Sequence, residues 1–370
     1  MEAARRIGHG VREAERHSVA IAERILLIVN RSAGIGHGDP VVGRLRAMLV
    51  KLLGEQATLM VEVVTDHPEA RTRAKEFLDA SDIPGLILVG GGAGTLRAVI
   101  EGLCEGSEEG RLPGRERVLI GALRMGSGNV LARQFGIPRD TEAGLRGIID
   151  NLRAGCTVPC CVMRCETGAR GGLTKVHYGA TLGGFGQFGR VPGDLVRWER
   201  RFPAAHKVAA TFFGIERLTN VEYALALLIR SASAALLGGS TAEKVEVRTS
   251  DRSEVMRLLA GVAMNFPVKM LPIDPEVRAE EDALSLHLIP YTGRLPAFLA
   301  PRRLLRGALR IRIEGPERVE IRLVDRDAAE FFLDEDPMTF HGRLNLQVAG
   351  SLAFVPGPEY GFRAGSGTLA

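Results

Sequence analysis

Leu86-Ile-Leu-Val-Gly-Gly-Gly-Ala-Gly-Thr95, followed by Leu96-Arg-Ala-Val-Ile100, is the stretch on which the fold turns. An apolar run that stops in glycines and restarts with apolar residues at 96, 99, 100 and 103 reads as a buried strand, a tight turn and a helix. Glycines let a backbone approach a ligand closely. A helix start presents N–H groups and the positive end of its dipole, so this geometry suits a phosphate. A plain strand-to-helix connection uses the same residues, and the stretch alone leaves both readings open.

The neighbouring segments repeat the pattern. Residues 25–29 read as a buried strand ending in Asn30-Arg-Ser-Ala-Gly-Ile-Gly36, and the next helix has apolar residues at 41, 42, 45, 48, 49, 52 and 53. Residues 58–64 read as a second strand, and Asp66 with Glu69 has the spacing of a capping box for the helix after it. Residues 118–123 lead into Arg124-Met-Gly-Ser-Gly-Asn129 and a further helix. Strands alternating with helices imply a parallel sheet, whose ligand crevice lies at the carboxyl ends of the strands. Three of those ends carry glycine or small polar residues, which favours a nucleotide over a bare connection.

After about residue 155 the pattern changes to short strands, at 158–164, 175–180, 244–248, 255–264, 309–314, 319–323 and 344–348. This half reads as a mostly antiparallel β-sandwich, interrupted by a helical insert at about 195–237 rich in Ala, Leu and Phe. The expected organisation is therefore α/β plus β. A helical arm over 1–23 precedes a three-layer α/β nucleotide-binding domain over 24–155, a sandwich domain over 156–357 and a flexible tail over 358–370.

The totals agree with two domains: 370 residues, 45% hydrophobic and 25% charged, as in globular proteins. A net charge of +4 does not point to nucleic acid at this length. No run reaches the roughly 18 apolar residues of a spanning helix; the best, residues 221–238, carries Glu222 and Arg230. The charged N-terminus is no secretory signal, so a cytoplasmic place is expected. Basic residues of the arm could touch an anionic membrane, but its mixed charges read as a solvated helix. Cys156, Cys160, Cys161 and Cys165 lack the C-x2-C pairs of a zinc site and sit on an expected strand, where they read as packing residues. No G-x-S-x-G elbow is present. A dinucleotide fingerprint would need glycine at Arg97 or at Leu131, and would follow the first strand, where Asn30 stands.

Gly91-Gly-Ala-Gly-Thr95 is similar to the Gly-Gly-Asp-Gly-Thr signature of the diacylglycerol kinase catalytic family, which includes sphingosine kinases and the bacterial YegS-like lipid kinases. The turn from Asn30, the segment Gly126-Ser-Gly-Asn129 with Ala132-Arg133, Leu271-Pro272 with Asp282-Ala-Leu284, and Leu333-Asp-Glu-Asp-Pro337 resemble further segments of that family in the right order. The resemblance implies ATP-dependent phosphoryl transfer to a lipid hydroxyl, which is mostly positioning and charge neutralisation. By position, Asn30, Thr65, Gly91, Gly92, Ala93, Gly94, Thr95, Leu96, Arg97, Ala98, Gly126, Ser127 and Asn129 would hold ATP. Asp282, with backbone oxygens near Ala279 and Leu284, would hold Mg²⁺. Asp336 stands where the family places its proton-accepting Glu, and Asp334 is the acid just before it. The implied partners are a lipid substrate and, peripherally, the inner membrane surface, with no nucleic acid; a homodimer is compatible.

The departures share one chemical sense. Ala93 replaces the signature Asp, Ala98 stands where many members have Glu, Val130 replaces an Asp, and Glu335 replaces a Gly. The phosphate-cradling glycines persist while the acids of the nucleotide side thin, so a non-catalytic nucleotide- or lipid-binding relative is the alternative expectation.

Overall fold

The computed structural model describes residues 23–33, 39–54, 57–105, 112–114, 116–126, 129–169, 171–213, 215–268, 277–294 and 309–361. The expected arm at 1–22, Leu271-Pro272, Ser127 and the tail from 362 lie outside the described residues.

The first half alternates as expected: β1 (Arg24–Asn30), α1 (Asp39–Leu53), β2 (Thr58–Val64), α2 (His67–Asp79), β3 (Gly85–Gly91), α3 (Ala93–Cys104), β4 (Val118–Arg124), α4 (Val130–Gln134) and α5 (Thr141–Arg153). The capping spacing works at α2: the Asp66 carboxylate accepts the Glu69 N–H at 2.9 Å, and the Glu69 carboxylate accepts the Thr65 N–H at 3.0 Å. The four strands are parallel in the order β2-β1-β3-β4. α2 packs on α3 and α1 on α5, and every residue of β3 is buried between the helical layers. The strand order reverses between β1 and β3, so a crevice opens where those two strands end, at Asn30 and Gly91.

The second half contains β5 (Val158–Gly168), β6 (Thr174–Gly179), β7 (Leu182–Gly186), α6 (Val191–Arg201), α7 (Pro203–Phe213), α8 (Ile215–Leu237), β8 (Glu243–Arg248), β9 (Ser253–Met264), β10 (Ala283–Pro290), β11 (Leu309–Glu314), β12 (Arg318–Leu323), β13 (Ala328–Leu333), β14 (Asp336–His341) and β15 (Arg343–Phe354). These strands pair antiparallel with one another and close around a second apolar core. The adjacent cysteines of β5 point to opposite faces: Cys160 joins the core shared with the first half and Cys161 the second core. Burial pushes the Cys161 and Cys165 thiols up to about 12, so both stay protonated packing groups.

The halves are not separate sheets. β15 runs antiparallel beside β12 and β5, and its last residue, Phe354, pairs parallel with Ile120 of β4. The fifteen strands among the described residues are thereby joined into one sheet. The chain then packs on the first half. Phe354 stacks on Phe135 at 5.1 Å, and the Gly357 and Glu359 N–H groups donate to Phe135 and Gly136 oxygens at 2.8 and 3.1 Å. Residues 358–360, expected to open a flexible tail, are thus held in place. Their bonds go to backbone carbonyls, which Pro and Gly composition does not reveal. The last expected strand is also longer, because the irregularity between Val348 and Gly350 lets β15 bend and continue to Phe354.

Candidate functional site

The glycine loop caps α3 without a side chain. Gly92 is the N-cap residue, and the first intrahelical bond runs from the Leu96 N–H to the Gly92 oxygen at 3.1 Å. The N–H groups of Ala93, Gly94 and Thr95 therefore have no carbonyl partner within the helix. Two glycines are required by close approach: a Cβ on Gly91 would meet Thr95 at 2.6 Å, and a Cβ on Gly126 would run into the backbone of Gly92. The turns after β3 and β4 thus touch backbone to backbone. Asn30 crosses the switch point, its buried Nδ2 donating to Thr95 Oγ1 at 2.9 Å. Its Oδ1 accepts the Ser32 N–H at 2.9 Å, and Ser32 Oγ donates to the Thr65 oxygen at 3.2 Å, which ties in the end of β2. Asn129, at φ 51°, closes the other turn, accepting the Gly126 N–H on Oδ1 at 2.9 Å and donating from Nδ2 to the Gly126 oxygen at 2.5 Å.

These contacts divide the thirteen residues read as nucleotide ligands. Gly91, Gly92, Ala93, Gly94, Gly126 and the ends of β1 and β2 converge on the crevice. Leu96 is buried in the core but lines the small cavity beside Gly91, Gly92 and Ala93, whereas Ala98 is buried in the core away from it. On a helix beginning at Ala93, positions 96 and 98–100 turn toward the sheet and α2. Asn129 and Thr95 shape the turns by hydrogen bonds.

Arg97 turns away from the first-turn amides of α3 toward the second half. Its Nε and Nη2 donate to Asp336 Oδ2 at 3.0 and 2.7 Å, and its Nη1 to Glu101 Oε1 at 2.5 Å. Burial works to lower the Arg97 pKa, but Glu101 and Asp336 outweigh it and hold it above its ordinary value. Burial likewise works to raise Glu101, and the bond to His177 and the charge of Arg97 hold it below the usual carboxylate range. Arg71 and His177 complete the cluster at 3.6 and 3.5 Å from Glu101. Asp336, on β14, consequently lies over the glycine loop. A Cβ built on Gly94 would meet Asp336 Oδ1 at 2.9 Å and His67 Cε1 at 2.5 Å. His67 Nδ1 is 3.4 Å from Asp336 Oδ2. Sequence reading missed His67; the available signal was its place just after a helix cap at the end of a parallel strand.

Asp334, read as a second catalytic acid, is 2% exposed and accepts the N–H groups of Ala180 and Thr181 at 2.8 Å each and the Thr181 hydroxyl at 2.5 Å. Burial pushes its pKa up against those bonds. It anchors the start of β7 and, with Thr181, also lines the small cavity beside Gly91, Gly92 and Ala93. With Glu335 it forms a two-residue hairpin between β13 and β14, at φ 49° and 71°. Burial, with Asp334 and Asp336 adding to it, pushes Glu335 up to about 7.

The residues read as a metal set make these contacts within the protein. The Ala279 oxygen accepts the Cys161 N–H at 2.8 Å, Asp282 accepts the Ser351 hydroxyl at 2.5 Å, and Leu284 is fully buried in β10. Among the described residues no three His, Cys, Asp or Glu side chains gather into a metal site. Asp282 takes its bond from Ser351 of β15, whereas Asp336 takes its bonds from Arg97 of α3.

Residues 24–163 match the model of the diacylglycerol kinase catalytic domain. No curated protein matches the chain by sequence. Among solved structures the chain is similar to a diacylglycerol kinase of Bacillus anthracis str. Sterne, at 15% identity and TM-score 0.56, covering 92% of this chain and 98% of that one. A second B. anthracis str. Sterne structure, provisionally assigned to the same activity, aligns at 17% identity and TM-score 0.57, over 91% and 98%. Yeast NADH kinase in complex with NADH aligns at 7% identity and TM-score 0.52, over 91% and 84%. At these identities the solved structures show a shared fold.

Proposed function

We propose that this chain, whose residues 24–163 match the diacylglycerol kinase catalytic domain, is a kinase of that family and transfers the γ-phosphoryl group of ATP to a lipid hydroxyl. The observation that carries this reading is the placement of Asp336, an acid of the second half, over Gly94 of the glycine loop in the first. Phosphate oxygens would meet the N–H groups of residues 93–95 at the positive end of α3. Arg97 occupies Asp336 Oδ2 and leaves Oδ1, the atom nearest Gly94, to take a proton. In the reaction the acceptor oxygen bonds to the γ-phosphorus, the bond to the bridging oxygen breaks, ADP leaves, and the hydroxyl proton passes to Asp336. Arg97 also offsets the negative charge gathered there. Asp282 would be the one carboxylate holding Mg²⁺ in the set read there, and no step is routed through it.

A second reading, nucleotide binding without turnover, is favoured by two specific features. Ala93 and Val130 stand where the family carries acids beside the nucleotide, and Arg97 holds Asp336 Oδ2 with two bonds. Radiolabelled ATP, with and without Mg²⁺, offered with diacylglycerol, monoacylglycerol, ceramide, sphingoid bases and phosphatidylglycerol separates the two. A labelled lipid that disappears in Asp336→Asn supports the kinase. ATP binding with no labelled lipid from any acceptor supports the binding relative.

A further inference from the structure

His67 takes no part in the transfer proposed above, yet its imidazole stands beside the first-turn amides of α3. It is the first residue of α2, directly after the Asp66 cap at the end of β2, and its side chain is 41% exposed. The fold thereby holds it at the mouth of the crevice, within reach of solvent. One edge of the ring lies on the start of α3: a Cβ built on Gly94 would meet His67 Cε1 at 2.5 Å and Nε2 at 2.7 Å. The other edge faces the second half, with Nδ1 3.4 Å from Asp336 Oδ2. The two nitrogens therefore address different sides of the crevice, Nε2 the glycine loop and Nδ1 the acid of β14.

A neutral imidazole has one N–H and one lone pair, whereas an imidazolium donates from both nitrogens. Between Asp336 and a phosphate, the neutral ring satisfies one anion and turns a lone pair on the other. The charged ring bridges both, and a charge-assisted bond to a phosphate oxygen is about twice as strong as a neutral one. Imidazoles exchange this proton near neutral pH, so the bridge is made or lost under mild conditions. The charged neighbours of the ring have partners of their own. Arg97 of α3 holds Asp336 Oδ2 with two bonds. On α2 itself, the Asp66 and Glu69 carboxylates accept the N–H groups of Glu69 and Thr65. His177 of β6 and Arg71 of α2 face Glu101, one helical turn beyond Arg97.

We propose that His67 is a ligand of the terminal phosphate of the bound nucleotide, acting as an imidazolium that spans this phosphate and Asp336, and that it links nucleotide capture to proton uptake. The assignment rests on the ATP site of the proposed kinase and needs no transfer step. Two anions around the ring raise its proton affinity in the bound state, so the added affinity is present at acid pH and is lost as pH rises.

The test is isothermal titration calorimetry of the full chain with ATP and with tripolyphosphate, without lipid, from about pH 5.5 to about pH 8.5 and in buffers of different ionisation enthalpy. Wild type should bind both ligands about tenfold more tightly than His67→Gln at the acid end, and about equally at the alkaline end. His67→Lys stays charged across the range and should keep the tenfold advantage over His67→Gln at both ends. Only wild type should show the extra proton uptake. The terminal phosphate and His177 titrate in all three proteins, so the differences between them belong to residue 67. A wild-type pH slope and proton uptake that His67→Gln reproduces would overturn this proposal and leave the kinase standing. So would His67→Lys binding more weakly than His67→Gln, because a cation there would then oppose the phosphate. If no variant and no wild type binds ATP at any pH, the nucleotide site itself fails, and the kinase with it.

Discussion

Glu335 is the least comfortable residue of the candidate site, and replacing it with glycine should stabilise the protein in a way that depends on pH. Its φ of 71° lies in the left-handed region, which costs an L residue about 1–2 kcal/mol. Glycine removes that cost but gives back about 0.4–1 kcal/mol through its freer unfolded chain. The conformational gain is therefore about 0.5–1 kcal/mol at any pH. The charge contribution is separate. Glu335 is pushed up to about 7 by burial and by Asp334 and Asp336, so the folded state favours the protonated carboxyl. That preference is fully present below the unfolded pKa and is lost as pH rises through the folded value. Ionising the group in place costs about 3 kcal/mol at full effect, and about 2 kcal/mol once solvent reaches the half-buried carboxyl. Glu335→Gly should thus gain about 1 kcal/mol at acid pH and about 3 kcal/mol at alkaline pH. Glu335→Gln should recover only the pH-dependent part. Urea unfolding from mildly acid to mildly alkaline pH measures all three proteins. A Glu335→Gly gain that is the same at every pH would refute the charge argument, and a Glu335→Gln gain equal to that of glycine would refute the strain argument.

Gly94→Val should abolish ATP binding in a folded protein, because its Cβ would meet His67 at 2.5 Å and Asp336 at 2.9 Å and force the acid off the loop; calorimetry showing unchanged affinity would remove the loop from the site. Arg97→Gln loses two bonds to Asp336 and one to Glu101 and should lower stability by about 3 kcal/mol; a loss under about 1 kcal/mol in urea would mean that the cluster does not join the halves. Ala93→Asp with Val130→Asp should raise both phosphoryl transfer and its dependence on Mg²⁺, measured in the lipid assay. If ATP binds but no transfer appears in wild type or in that variant, the nucleotide-binding reading replaces the kinase.

The first half was legible because its signals are local. Seven-residue apolar strands, the Asp66–Glu69 cap and the glycine turns each act through neighbours in the chain, and the parallel alternation follows from them. β7, β10, β13 and β14 escaped notice. β7 is largely glycine, with Gly184 packed under Phe332 and Phe188, and β10 carries a buried Ser285–His287 pair at 2.8 Å that breaks its apolar run.

The candidate site divides along the same line. Residues 91–95 announce a strand end, a glycine turn and a helix start by themselves, since these signals lie within a few positions. Nothing within a few positions of Arg97 or Asp336 announces that they meet. They stand 239 residues apart and are brought to 2.7 Å by the β13–β14 hairpin. The same holds for Asp334, which the chain presents as a second catalytic acid and the fold spends on the amides of Ala180 and Thr181. A carboxylate's role depends on which donors surround it and on how far water is excluded. The sequence by itself therefore determined the nucleotide-type scaffold and its glycine loop. Tertiary structure decided which acid faces that loop, because charge pairing and burial are properties of distant segments packed together.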